Sequence, residues 1–152
     1  MPLYQPGLLH APVTPFTPER TVDFDRYAKL IEFHLASGAD GLALPMHAGE
    51  SVSLSDGERR TLVEFAIKQV NGRKPVVAHV SETGTAIAAA LARHAEQHGA
   101  TAIIATTPYY WTPPAGMVLE HFIQVGSAVT IPFFLYNAPE EMQGAKVNAE
   151  LC

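Results

Sequence analysis

Cysteine is almost absent from this chain of 152 residues, since Cys152 is its single cysteine. One thiol cannot form an internal disulfide, and the cytoplasm is therefore the expected compartment. Basic charge is also scarce, because 10 Lys and Arg face 15 Asp and Glu. That balance excludes the electrostatic footprint of a nucleic-acid-binding protein. No apolar run approaches the roughly 18 residues that span a bilayer, and the first residues do not form a signal peptide.

Several catalytic motifs are missing as well. No Gly-x-Gly-x-x-Gly follows the first apolar run, and no Ser-x-x-Lys, nucleophile elbow or phosphate loop is present. The seven histidines show no His-Glu-x-x-His pattern. His94 and His98 are four residues apart on a predicted helix, but no carboxylate or cysteine accompanies them in a ligand pattern. We therefore expect neither a metal site nor a cofactor.

What the chain does contain is an alternation of short apolar runs and amphipathic segments. The runs predict buried strands at 7–16, 41–45, 75–80, 101–106 and 131–139. A helix is predicted between each pair: one from the Asp23 cap to Gly38, one from the Ser55–Glu58 capping box to Asn71, one at 86–98 and one around Val118 and Val125. Strands about 30 residues apart, each followed by a helix, form repeated βα units.

Two architectures fit such a repeat, a (β/α)₈ barrel and an open doubly wound sheet. Strands that are apolar throughout suit a parallel sheet covered by helices in either case. A complete barrel needs about 250 residues, and the segment 147–151 looks like the start of another helix. We therefore predict an α/β fold in which residues 1–152 form a single domain, the N-terminal part of a (β/α)₈ barrel, comprising about its first five βα units.

Tyr136 is the first candidate for chemistry. It ends the fifth apolar run, so its hydroxyl is expected at the C-terminal mouth of the sheet, where α/β proteins place their active sites. A phenol there can relay protons. The alternative is a core tyrosine with a satisfied hydroxyl.

Six short segments together resemble one family. They are VTPF (13–16), GADG (38–41), GES (49–51) with LS (54–55), PVVAH (75–79), TPYY (107–110) and LYNAP (135–139). Their order and spacing are similar to those of the dihydrodipicolinate synthase/N-acetylneuraminate lyase family. That resemblance implies a (β/α)₈ Schiff-base aldolase or lyase that acts on pyruvate or a related 2-oxo acid.

The resemblance also implies roles for individual residues. Tyr136 matches the proton-relaying tyrosine, and Tyr110 matches a tyrosine that reaches into the neighbouring subunit, which implies a homodimer or homotetramer. The loop containing His47, Ala48, Gly49 and Glu50 matches the motif that holds the substrate carboxylate. Backbone donors in a tight glycine-containing loop also suit an anion on physical grounds.

The chain departs from the family pattern in three respects: the carboxylate-binding motif, the arginine for the second carboxylate and the Schiff-base lysine. The motif's Gly-Thr-Thr is Met46-His47-Ala48 here, so both carboxylate-binding hydroxyls are missing; His47 either replaces them as a donor or merely fills the loop. Glu141 falls near the arginine that binds the second carboxylate in the synthases, and its charge would repel that substrate. We therefore do not expect dihydrodipicolinate synthase activity.

The family's Schiff-base lysine belongs to a sixth strand, beyond Cys152. The lysines within the chain are Lys29, Lys68, Lys74 and Lys146, and none is expected at its place. The sequence therefore predicts part of a pyruvate-type lyase that is inactive without its lysine. The alternative is a non-catalytic half-barrel that binds a ligand or pairs with another chain.

Overall fold

A parallel sheet with helices on one of its faces makes up the described part of the molecule. The computed structural model describes residues 7–137 and 145–148. In chain order the elements are β1 (Leu9–His10), α1 (Phe24–Ala36), β2 (Gly41–Leu44), α2 (Asp56–Val70), β3 (Val76–His79), α3 (Thr85–Gln97), β4 (Ala102–Ala105), α4 (Ala115–Gly126) and β5 (Phe133–Leu135). Two 3₁₀ turns, His47–Gly49 and Ser51–Ser53, lie between β2 and α2. None of the helices in this part of the chain is long and apolar enough to cross a membrane.

The strand order decides between the two expected architectures. All neighbouring pairs are parallel, and the spatial order β1-β2-β3-β4-β5 follows the chain order. A doubly wound sheet reverses its strand order at a switch point. A sequential order with right-handed crossovers instead places every helix on the same face. The fold is therefore a partial (β/α)₈ barrel, with four complete βα units and a fifth strand in the described residues.

Side-chain packing confirms this division into two faces. Leu42, Leu44, Ala78 and Ile103 belong to a large outer core that the helices share. The alternate strand positions form a second, inner cluster that contains no helical residue: Ala43, Met46, Val77 and Ala102, with Leu9, Ile104, Phe134 and Tyr136 packed against it. Since successive side chains of a strand point to opposite faces, the inner cluster is the lining of the barrel.

The helices α1 and α2 begin where capping was expected. Asp23 accepts a hydrogen bond from the Arg26 N–H at 2.9 Å, and Ser55 and Glu58 form both hydrogen bonds of a capping box. α2 ends at Asn71 in the left-handed conformation, with φ of 48°. These local signals lie at the termini of elements, which explains why the sequence predicted them well.

The first and last apolar runs yield shorter strands than predicted. β1 spans only Leu9–His10, because Pro12 has no N–H to donate to a ladder. The run 131–139 contains only β5, Phe133–Leu135, while Ala138 and Pro139 lie outside the described residues. Glu141, Cys152 and the predicted helix start at 149–151 also lie outside them.

Candidate active site

The predicted site residues all follow the carboxyl ends of strands. The loop 47–50 follows β2, Tyr110 follows β4, and Tyr136 comes directly after β5. Because the strands are parallel, these three segments emerge at the same edge of the sheet. The three segments therefore lie at one mouth of the sheet.

The loop after β2 is tightly built. Glu50 joins the two 3₁₀ turns in the left-handed conformation, with φ of 56°. Gly49 is buried, and a Cβ at this position would lie 3.1 Å from the carbonyl oxygen of Pro12. The Thr14 hydroxyl donates to the Gly49 carbonyl at 2.7 Å. The loop is therefore held against the end of β1, at a distance where any side chain larger than that of glycine would be crowded.

The backbone donors of this loop fall into two groups. The N–H groups of Gly49 and Glu50 donate to the carbonyls of Met46 and His47, at 3.0 and 2.9 Å. The N–H groups of His47 and Ala48, the first two residues of the 3₁₀ turn, have no backbone acceptor among the described residues. The opening residues of a helical turn leave such donors free for a ligand. His47, Ala48 and Glu50 have exposed side chains.

A buried polar network lies at the carboxyl ends of β3 and β4. His79, at the end of β3, is 3% exposed, and its Nε2 lies 2.6 Å from the hydroxyl oxygen of Ser81. The same oxygen accepts the Thr106 N–H at 2.8 Å. Burial, with the charges of Arg59 and His47, lowers the pKa of His79 to about 3. His79 is therefore neutral, and the network ties the ends of β3 and β4 together.

Sequence reasoning missed a buried cation beside this network. Arg59 of α2 is 3% exposed, and it donates to the Glu82 carboxylate at 3.1 Å and to the Ser81 carbonyl at 2.9 Å. Burial raises the pKa of Tyr109, and the negative charge of Glu82 raises it further. A signal was available, since Arg59 precedes Leu62 by three residues and so falls on the apolar stripe of α2.

The two predicted tyrosines occupy different environments. Tyr136 is half-buried, its N–H donates to the Ala105 carbonyl at 2.8 Å, and its ring packs against the inner cluster. Its side chain therefore lies on the barrel-lining face, the position that a proton relay requires. Tyr110 is 87% exposed and has φ of 81°. A side chain so exposed is available for contact with another molecule.

The segment 145–148 is fastened to the mouth by side chains. The Asn137 amide donates to the Val147 carbonyl and accepts from the Val147 N–H, both at 3.1 Å. The Thr107 hydroxyl donates to the Ala145 carbonyl, also at 3.1 Å. Asn137 therefore acts as a backbone clamp directly beside Tyr136.

The lysines lie where the sequence placed them. Lys29 and Lys68 are exposed on the outer helices α1 and α2. Lys74 is exposed just before β3, at the end of the sheet opposite the mouth. Lys146 is exposed in the segment 145–148. In the described residues, the group of three side chains that could hold a metal is on the outer surface, away from the mouth.

Comparison with known proteins identifies the family. The sequence pattern of the Dihydrodipicolinate synthetase family matches residues 5–150. The chain belongs to this family. It is 40% identical over 133 residues to the 4-hydroxy-tetrahydrodipicolinate synthase of Azoarcus sp. (strain BH72), an alignment that covers 88% of this chain and 46% of the relative.

Solved structures of family members agree with the fold. Dihydrodipicolinate synthase from Aquifex aeolicus superposes with a TM-score of 0.91 at 34% identity, over 95% of this chain and 49% of that one. YagE, a family member from E. coli K12 solved in complex with pyruvate, gives 0.88 at 33% identity, over 91% of this chain and 46% of that one. The chain therefore spans about half the length of its dihydrodipicolinate synthase family relatives.

Proposed function

We propose that this chain is the N-terminal part of a Schiff-base lyase or aldolase that acts on pyruvate or a related 2-oxo acid. The observation that carries the proposal is the placement of Tyr136 on the barrel-lining face, at the same mouth as the loop 47–50. Family membership and the pyruvate complex of a relative support the choice of substrate class.

The loop 47–50 binds the substrate carboxylate in this proposal. The N–H groups of His47 and Ala48 supply the donors, because those of Gly49 and Glu50 are already used within the turns. Unused N–H groups at the start of a helical turn favour an anion. The exposed imidazole of His47 can add a further donor.

Tyr136 relays protons at C2 of the substrate, the carbon next to the carboxylate. When a lysine amine attacks the C2 carbonyl, a carbinolamine forms, and its hydroxyl leaves as water only after it receives a proton. A phenol that lies on the lining face can donate that proton and later recover one. The ring packing against the inner cluster holds it in position.

The lysine itself comes from outside residues 1–152. An attacking amine must be desolvated so that its pKa falls, whereas Lys29, Lys68, Lys74 and Lys146 are all exposed. Glu141, which lies outside the described residues, falls in sequence near the arginine of the synthases. We therefore propose a lyase or aldolase of this family other than the synthase itself, working in the cytoplasm.

We also propose that Tyr110 contacts a neighbouring subunit. Its 87% exposure leaves the ring free to pack against a second copy in a homodimer or homotetramer. Burial of such an aromatic side chain would stabilise the association.

Borohydride trapping with pyruvate tests the function. We expect no adduct on residues 1–152 alone. In a longer chain that includes the strand with the lysine, we expect one reduced pyruvyl group per chain. Tyr136→Phe should slow trapping by about 10²-fold or more. Tyr27→Phe, which removes a hydroxyl from the outer core, should not. An adduct on the 152-residue chain would overturn the lysine assignment, and no adduct on either form would favour the non-catalytic half-barrel.

A further inference from the structure

Two histidines and a glutamate meet on the outer surface of the barrel. His94 lies on α3 and His98 caps its end, while Glu64 comes from the adjacent helix α2. The Nε2 of His94 lies 2.8 Å from Oε1 of Glu64, and the Nε2 of His98 lies 3.8 Å from the same oxygen. One ligand atom from each of the three residues falls within 4.8 Å of the others.

A hydrogen bond orients the ring of His98. Its Nδ1 lies 2.8 Å from the His94 carbonyl oxygen. A carbonyl only accepts, so Nδ1 carries the proton, and in the neutral ring the Nε2 lone pair is free on the side of Glu64. Metal-ligating histidines characteristically donate their second ring N–H to such a group. The two rings also lie against each other, with centroids 4.2 Å apart.

From this geometry we propose a binding site for a divalent transition-metal ion of the zinc class, formed by His94, His98 and Glu64. Two imidazole nitrogens and one carboxylate oxygen are a donor set that Zn²⁺ accepts, with a fourth position open to water. Ligand atoms around a tetrahedral Zn²⁺ lie about 3.3 Å apart for bonds of about 2.0 Å. The 3.8 Å distance between His98 and Glu64 is near that value, whereas the 2.8 Å distance is a hydrogen bond from His94 to Glu64, whose proton a bound ion would displace.

The sequence alone does not predict this site because its carboxylate comes from another helix. Glu64 precedes His94 by 30 residues, so no motif contains all three ligands. The side chains are accessible, with exposed fractions of 44% for Glu64, 15% for His94 and 41% for His98. A bound ion would fasten α2 to α3 in the outer ring, independently of the chemistry at the mouth.

Calorimetric titration with Zn²⁺ tests the proposal, with Cys152→Ser in every protein so that no thiol competes. We expect one ion per chain, and at least tenfold weaker binding in His98→Gln and in Glu64→Gln. The matched control is His34→Gln, because His34 also contacts a second imidazole, with 3.1 Å between its Nδ1 and that of His10. Zinc binding that survives His98→Gln, or that is lost in His34→Gln, would overturn the proposal.

A second measurement needs no substitution. In histidine-selective ¹H–¹⁵N spectra of the unsubstituted rings, Zn²⁺ should shift the Nε2 resonances of His94 and His98 and leave those of His34 in place. Chelation with EDTA should reverse the shifts. Unchanged His94 and His98 resonances at saturating Zn²⁺ would contradict the site even if zinc bound elsewhere.

Discussion

The hydroxyl oxygen of Ser81 lies 2.6 Å from Nε2 of His79 and also accepts the N–H of Thr106, so that a single buried atom joins the segments that follow β3 and β4. Ser81 is 1% exposed. Since no strand ladder extends to this point, the hydroxyl replaces main-chain pairing at the rim of the barrel. The segment that leads to Tyr110 begins directly after Thr106.

Removing that hydroxyl should destabilise the fold. Ser81→Ala leaves the buried Thr106 N–H and the His79 nitrogen unpaired, which should lower the free energy of unfolding by about 1–3 kcal/mol. Urea denaturation measures the change. Ser53→Ala, on an exposed residue of the same type, is the control and should be near neutral. Equal effects in the two variants would mean that Ser81 does not join the strands.

His79 should make stability depend on pH in the weakly acidic range. Its pKa is lowered to about 3 in the folded state, while that of an unfolded histidine is about 6.5. The unfolded chain therefore binds the proton first, and the stability due to this group is lost as pH falls from about 6.5 towards 3. The loss should reach about 2 kcal/mol between pH 7.5 and 5.

The contribution of His79 is isolated by comparing how steeply the free energy of unfolding falls with pH in two proteins. His79→Gln should lose less stability than the unsubstituted protein over the same pH interval, whatever its stability at pH 7.5. His34 and His121 also have lowered pKa values, but they are present in both proteins. Parallel curves for the two proteins would show that His79 is protonated as readily in the folded state as in the unfolded state.

The ion pair of Arg59 and Glu82 should matter more than one on the surface. Glu82→Ala leaves a guanidinium that is 3% exposed without its carboxylate, and the loss of one partner of a buried pair costs about 3–5 kcal/mol. Glu32→Ala is the matched control, because it breaks the exposed pair with Arg73. We expect Glu32→Ala to lower the free energy of unfolding much less, since solvent screens exposed ion pairs. Similar midpoints of chemical denaturation for the two variants would contradict this ranking.

Local signals allowed much of the fold to be predicted, and distant contacts explain what was not. The caps at Asp23 and Ser55 depend on residues three positions away, so the sequence contains them in full. Strand order could not be read directly, because an apolar run does not specify its neighbours. The role of Arg59 was missed because its acceptors, at Ser81 and Glu82, lie more than 20 residues away in sequence. The mouth positions of Tyr136 and of the loop 47–50 were predictable because parallel strands end at a common edge.

The proposed binding of a carboxylate by the loop 47–50 can be tested by adding a hydroxyl group to that loop. Ala48 is exposed and stands where the family motif has a threonine, so Ala48→Thr should fit without strain and supply one hydroxyl to the substrate carboxylate. A hydrogen bond to a charged group contributes about 1.5–3 kcal/mol. In the chain extended by the strand that carries the lysine, we therefore expect the pyruvate concentration for half-maximal borohydride trapping to fall by about tenfold or more. Ala48→Val, which has nearly the same shape and no hydroxyl, is the control and should leave that concentration unchanged. If the valine variant improves as much as the threonine variant, the gain comes from packing, and the loop does not bind the carboxylate in the proposed way.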